Sequence, residues 1–191
     1  MKRFHIVLFF GIVLAGCGLS YFVWKSQQAD SSLTIRDFDY ERDHQAVESL
    51  FNKGDNFYWM VSVEGGGSYS IDFMLRNQSS SQFEKKRDLI IKVAIIDGKL
   101  AGFLAYHPLS GRVWKLLFLM VDQDFRRQGV AKKILKYAVD DMMSRNALRI
   151  DLGTRNNNFK AQNLYKNFGF KYIDTDDESH FVHFSLYKQQ S

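Results

Sequence analysis

The sequence predicts an α+β fold of three layers: one mixed, mostly antiparallel sheet with helices on both faces, preceded by a single N-terminal apolar helix. Three stretches carry this prediction. Asp97-Gly98 separates two runs rich in β-formers, Leu89 to Ile96 and Leu100 to His107, and Asp-Gly between such runs is a hairpin turn. Val113 to Val121 is almost wholly apolar, as a strand buried on both faces is. After it, Val130, Ala131, Ile134, Leu135, Ala138, Val139 and Met142 recur at spacings of three and four, with Lys132, Lys133, Lys136 and Asp140 between them. That is an amphipathic helix. Leu148 to Leu152 follows it as a strand, so the helix is a crossover between two parallel neighbours.

The elements follow in order. Phe4 to Trp24 is an apolar run with Lys2 and Arg3 ahead of it and Lys25 behind. As a helix it would be roughly 31 Å long, enough to cross a hydrocarbon core, with Tyr21 and Trp24 at the level of an aromatic belt. This predicts a single-pass membrane anchor within residues 1–25. The competing reading is a secretory signal with Lys2-Arg3 as its charged start and Phe4 to Leu14 as its apolar stretch. Leu14-Ala15-Gly16-Cys17 then resembles the lipobox of bacterial lipoproteins, with Cys17 as the lipid anchor. The apolar residues that continue through Trp24 favour the uncleaved anchor. Residues 26–32 are small and polar, a linker, and the folded domain is expected over 33–189.

Leu33 to Arg36 is a first strand, and Asp43 is placed to cap a helix carrying Ala46, Val47, Leu50 and Phe51. Phe57-Tyr58-Trp59-Met60 is an aromatic cluster expected in the core rather than in a pocket. Gly65-Gly66-Gly67-Ser68 is a loop, Ile71 to Arg76 a short helix, and Ser79 to Arg87 a solvated surface segment. Leu89 to Ile96, Leu100 to His107 and Val113 to Val121 make an antiparallel meander. Phe159 to Phe168 is a helix ended by Gly169. Phe170 to Ile173 and Phe181 to Tyr187 supply the last strands.

The junction between Val121 and Ala131 has its own chemistry. The first N–H groups of a helix lack partners within it, and the helix dipole adds partial positive charge there. Gly129 has no Cβ to block an approaching group, and Arg126 and Arg127 add fixed charge beside those amides. The combination suits a phosphate or pyrophosphate.

Arg126-x-x-Gly129-x-Ala131 resembles the (Gln/Arg)-x-x-Gly-x-(Gly/Ala) signature of the GNAT-type N-acetyltransferases. Asn158-x-x-Ala161-x-x-Leu164-Tyr165, followed by Gly169-Phe170, is similar to that family's second signature. The resemblance runs roughly from residue 33 to 188 and is strongest from 113 to 172. It implies acetyl-CoA as co-substrate and no metal. It places the pyrophosphate on Arg126, Arg127, Gln128, Gly129, Val130 and Ala131, the pantetheine arm beside Met120 and Val121, and Asn158 against the pantetheine. Tyr165 falls at the position that protonates the departing thiolate, a task a phenol can perform at neutral pH. The acceptor implied is a primary amine on a small molecule, a peptide or a protein.

The sequence departs from the family twice. Arg127 stands where a Gly is common, and Trp114 to Val121 contains no carboxylate, although many members place a catalytic Glu there. The base is therefore open among Asp122, Glu64, Asp72 and water. A domain that binds CoA or a partner without catalysis is the alternative. His180 and His183, three apart in an expected strand, point to opposite faces and do not suggest a metal site, and neither do His44 and His107. The net charge of +5 is concentrated at the N-terminus, where Lys2, Arg3 and Lys25 have no acidic neighbours, so the domain lacks the basic face that nucleic-acid binding needs.

Overall fold

The computed structural model describes residues 33–60, 70–78 and 89–189. The elements are β1 (Leu33–Asp37), α1 (Tyr40–Asn52), α2 (Asn56–Met60), α3 (Ile71–Asn77), β2 (Ile90–Ile96), β3 (Lys99–Ser110), β4 (Val113–Val121), a 3-10 turn (Gln123–Phe125), α4 (Val130–Ser144), β5 (Arg149–Arg155), α5 (Phe159–Phe168), β6 (Lys171–Asp176) and β7 (Phe181–Tyr187). The strands form one sheet in the order β1-β2-β3-β4-β5-β7-β6. All neighbours pair antiparallel except β4 and β5, which are parallel across α4. The predicted architecture of the domain is therefore present. The apolar helix, anchor or lipid site expected over residues 1–25 lies outside the described residues, as do Gly65 to Ser68 and Glu64. No helix among the described residues is long and apolar enough to cross a membrane.

The hairpin turn has Asp97 and Gly98 at φ 49° and 75°, the two positive values that a type I′ turn needs. On β3, Leu104 and Tyr106 join a core with α4, while Phe103 and Ala105 join a second core with α1 and α3. Strand alternation therefore divides the domain into two apolar layers about the sheet. Burying Ile134, Leu135, Ala138 and Met142 holds α4 on the sheet, at roughly 1.5–3 kcal/mol for each large side chain.

Beta-strand β4 carries one residue too many. Ala105 pairs with Phe118 and Tyr106 with Leu116, so Leu117 is a bulge. Trp114 and Leu116 face the α4 core, whereas Phe118 and Met120, of the same parity, face the α1–α3 core.

Three local expectations change. Asp39, not Asp43, caps α1, accepting from the Arg42 N–H. Asp43 lies one turn inside, buried, where its carboxylate accepts from the Asp39 N–H at 2.9 Å and from both ends of the Arg36 guanidinium at 2.6 and 2.8 Å. The buried partner makes it an ion-pair anchor rather than a cap. None of Phe57 to Met60 is fully buried, because α2 lies beside the end of β5, where Arg155 holds the Tyr58 carbonyl. Phe57 and Met60 lean on the α1–α3 core, Phe57 edge-on to Phe51 at 5.7 Å. His180 is in a turn at φ 57°, not in a strand, so the opposite-face argument for it and His183 lapses. His183 instead holds Asp174 at 2.6 Å.

Candidate active site

The site grows from a parting of strands. Beta-strands β4 and β5 pair only from Val113–Arg149 to Lys115–Asp151. Beyond that register they separate, leaving one edge of Leu116 to Val121 without a neighbouring strand among the described residues. The Asp122 N–H bonds the Ala101 carbonyl on β3 at 2.9 Å. Alternation along the strand therefore turns the backbone groups of Val121 and Leu119 toward the gap. Of the two predicted donor-site residues here, Val121 presents backbone to the opening. The Met120 side chain is packed into the α1–α3 core, 4% exposed. Gly102 lies opposite Val121, and a Cβ there would stand 2.4 Å from the Met120 carbonyl. Only glycine lets β3 approach this end of β4 so closely.

The chain then turns sharply into α4. Asp122 caps the 3-10 turn, and Arg127 and Gly129 take left-handed φ values of 65° and 79°. Left-handed steps alternating with right-handed ones fold successive N–H groups toward one point. Helix α4 starts at Gly129 with no side-chain cap. Among the described residues, the N–H groups of Arg127 through Ala131 have no acceptor. The space beside Gly129 is open, with nothing within 4 Å of where a side chain would begin. Val130 is buried and pins the helix start to the core. The two arginines separate in role. Arg127 is exposed, and its guanidinium has no partner among the described residues. Arg126 folds back, its Nε on the Val121 carbonyl at 3.0 Å and its Nη2 on Asn56 Oδ1 at 3.2 Å. Gln128 also turns inward, to the Asp124 carbonyl at 3.0 Å.

Helix α5 supplies the far wall. Asn158 caps it, its side-chain oxygen accepting from the Ala161 N–H at 3.2 Å. That bond leaves the Asn158 amide nitrogen as the group able to meet a ligand. Tyr165 is 6% exposed, packed against Phe170 and Phe184 at 5.9 and 6.3 Å between ring centres. Its hydroxyl has no hydrogen-bond partner among the described residues. Burial alone pushes its proton affinity well above that of an ordinary tyrosine, so it stays protonated and remains a donor.

These features match known proteins over most of the domain. The sequence fits the model of the acetyltransferase (GNAT) family over residues 55–170. The chain belongs to the GNAT acetyltransferase family. It is 27% identical over 149 residues to YhfO of Bacillus subtilis, an uncharacterised N-acetyltransferase, covering 75% of this chain and 91% of that protein. A stretch of 92 residues is 33% identical to the N-acetylaspartate synthetase of Rattus norvegicus, 47% of this chain but only 30% of that protein. In fold it resembles the ribosomal-protein-S18-alanine N-acetyltransferase of Escherichia coli, with TM-score 0.62, 18% identity, and 83% and 96% of the two chains covered. It also resembles the PaiA N-acetyltransferase of Thermoplasma acidophilum solved with coenzyme A, with TM-score 0.61, 20% identity, and 82% and 99% covered.

The family's amine chemistry raises the question of a base, and the described carboxylates are engaged elsewhere. Burial pushes the Asp122 carboxyl up, but the Asp124 N–H and the Lys53 ammonium at 2.9 Å outweigh it and hold it below the usual range. The Arg76 guanidinium and the Tyr40 hydroxyl likewise lower Asp72. Neither is poised to take a proton near neutral pH. Among the described residues no cluster of ligands suits a metal ion.

Sequence reasoning missed Asn56, Lys53 and Arg155. Arg155 ends β5 buried, its Nε on the Tyr58 carbonyl at 2.5 Å and its guanidinium carbon 4.0 Å from the Tyr58 ring centre. A charged residue closing an otherwise buried strand was the available signal for Arg155. The Asn56 side-chain amide donates to the Leu50 carbonyl at 2.7 Å, a local bond, but nothing near it in sequence marked its oxygen's partner Arg126, seventy positions away.

Proposed function

We propose that the domain transfers an acetyl group from acetyl-CoA to a primary amine by direct transfer in a ternary complex. The observation that carries this is the row of N–H groups from Arg127 to Ala131, without acceptors among the described residues, opening beside the free edge of β4. The residues present fit the donor. The amides of Arg127, Gln128, Gly129, Val130 and Ala131, with the Arg127 guanidinium, bind pyrophosphate. The free edge of β4 at Leu119 and Val121 receives the pantetheine as an added strand would, with Met120 between them turned to β3, and Asn158 lends its amide nitrogen. A backbone N–H at Val121 polarises the thioester carbonyl. Most of the rate comes from holding acyl carbon and amine together.

Tyr165 acts as hydrogen-bond donor to the sulfur as negative charge develops there. A tyrosinate left behind in this apolar wall would be costly, so solvent completes protonation of the leaving group. With Asp122 and Asp72 held ionised by cations, water takes the proton from the amine. The lack of a carboxylate on β4 favours, as second reading, a domain that binds CoA without turnover. In both readings residues 4–24 tether the domain to a membrane, with lipid on Cys17 the alternative, which mass spectrometry of the mature protein distinguishes.

Calorimetric titration of acetyl-CoA into the protein and into its Arg127→Glu, Gly129→Glu variant tests the reading. Saturable binding that the variant loses is expected. Equal binding by both would remove the loop from the donor site. Binding by the wild type without thiol release across an amine panel would favour the second reading.

A further inference from the structure

Helix α2 is too short to hold itself together. Five residues form little more than one turn, and isolated helices of that length are unstable in water. Phe57 and Met60 lean on the α1–α3 core, but none of its residues is fully buried, so apolar packing supplies only part of its order. The rest comes from ties at both ends of the strand gap. At the β4 end, Lys53 just ahead of it meets Asp122 at 2.9 Å, and Asn56 takes the Arg126 Nη2. At the β5 end, Tyr58 takes Arg155 on its carbonyl and under its ring. The helix thus bridges the diverging ends of β4 and β5.

Arg126 occupies a particular place among these ties. Its planar guanidinium has one edge on the Val121 carbonyl and another on Asn56. A guanidinium is a rigid fork, so fixing one edge aims the other. The same residue belongs to the turn whose amides would hold the donor's pyrophosphate.

Resting on the acetyl-CoA reading above, we propose that Arg126 is a positioning residue rather than a phosphate ligand. It transmits the setting of the donor loop to α2, the wall across the gap. Occupancy of the loop thereby fixes the acceptor side in register with Val121.

Hydrogen exchange on the full-length protein, with and without CoA, tests this through the amides of Asn56 and Trp59, which donate to the Lys53 and Asp55 carbonyls. In the wild type, CoA is expected to slow their exchange at least tenfold. In Arg126→Gln they exchange at least tenfold faster without ligand, CoA no longer protects them, and the CoA dissociation constant stays within threefold. Arg127→Gln should do the reverse, weakening CoA tenfold and leaving free-state exchange in α2 unchanged. With an amine that supports thiol release, Arg126→Gln should raise the acceptor KM tenfold and leave the acetyl-CoA KM within threefold. Asn56→Ala cuts the same contact from the other side, together with the Asn56 amide's bond to the Leu50 carbonyl, and must reproduce the loss of protection by CoA with the CoA dissociation constant within threefold. Protection of Phe103 to Ala105 in β3 reports whether each variant is folded. A tenfold loss of CoA affinity in Arg126→Gln with α2 exchange unchanged would make Arg126 a phosphate ligand and overturn the proposal. If the wild type does not bind CoA, the acetyl-CoA reading fails, while the ligand-free comparison still decides whether Arg126 holds α2.

Discussion

Replacing Tyr165 by Phe should make the protein more stable and less active. The hydroxyl is buried without a partner among the described residues. An unsatisfied buried polar group costs about 1–3 kcal/mol. Removing it leaves a gap of hydroxyl size, which costs a few tenths of a kcal/mol at roughly 24 cal/mol per Å³. The net gain is about 1 kcal/mol. At a urea slope of roughly 2 kcal/mol per molar, the midpoint should rise by about 0.5 M. In catalysis the sign reverses. A hydrogen bond to a developing charge is worth about 1.5–3 kcal/mol, so kcat should fall roughly 10- to 100-fold. The acetyl-CoA KM should change little, because the bond strengthens only as charge builds on sulfur. The assays are urea unfolding followed by tryptophan fluorescence and thiol release from acetyl-CoA. A variant that is less stable, with kcat within twofold of wild type, would show Tyr165 to be a packing residue and refute the reasoning.

Other substitutions probe the scaffold around the donor loop. Gly102→Ala drives a methyl into the Met120 carbonyl and should cost about 1–3 kcal/mol by overpacking, measured by urea unfolding. Arg127→Gly relieves a left-handed side chain at φ 65°. It should add about 0.5–1 kcal/mol of stability while weakening acetyl-CoA severalfold in calorimetry through loss of a cation. Burial works against the charge on Asp43, but Arg36, the Asp39 N–H and Arg42 prevail and hold its carboxyl down to about 2. A depressed carboxylate stabilises the fold above its unfolded value of about 3.9 and loses that contribution as pH falls toward 2. Unfolding free energy should thus drop by about 2 kcal/mol across that window, and Asp43→Asn should flatten the drop.

What the sequence disclosed and what it concealed divide along a physical line. The hairpin at Asp97-Gly98 and the periods of Val113 to Val121 and Val130 to Met142 are local, and the structure has those elements at those positions. Helix α5 and its stop at Gly169 were equally plain, because a left-handed residue must close the helix. The loop's glycine and arginines suggested an anion site, and the structure leaves the N–H groups of Arg127 to Ala131 without acceptors among the described residues. The spacing of the motif could not reveal that Arg126 turns away from the loop mouth, since its partners come from a carbonyl in β4 and a side chain in α2. The cap of α1 was misplaced because Asp39 and Asp43 are both plausible by residue type. Only the Arg36 side chain of β1 decides which of them is drawn inside. The aromatic cluster at Phe57 to Met60 has core composition, yet its position at the parted strands leaves Tyr58 43% exposed. Composition records affinity for burial, and topology decides which such groups obtain it.

The additional residue at Leu117 has a consequence for the chain's mutational tolerance. It acts as a phase shifter: side chains before it and after it obey opposite inside–outside rules. Substitutions in Val113 to Leu116 and in Phe118 to Val121 must therefore be judged against different neighbours, although they share one strand. Loss of Leu117 alone would restore uniform alternation and leave the flanking pairs, Tyr106 with Leu116 and Ala105 with Phe118, on the faces they now occupy, whereas loss of a residue on either side of it would set the two halves of the strand against their partners.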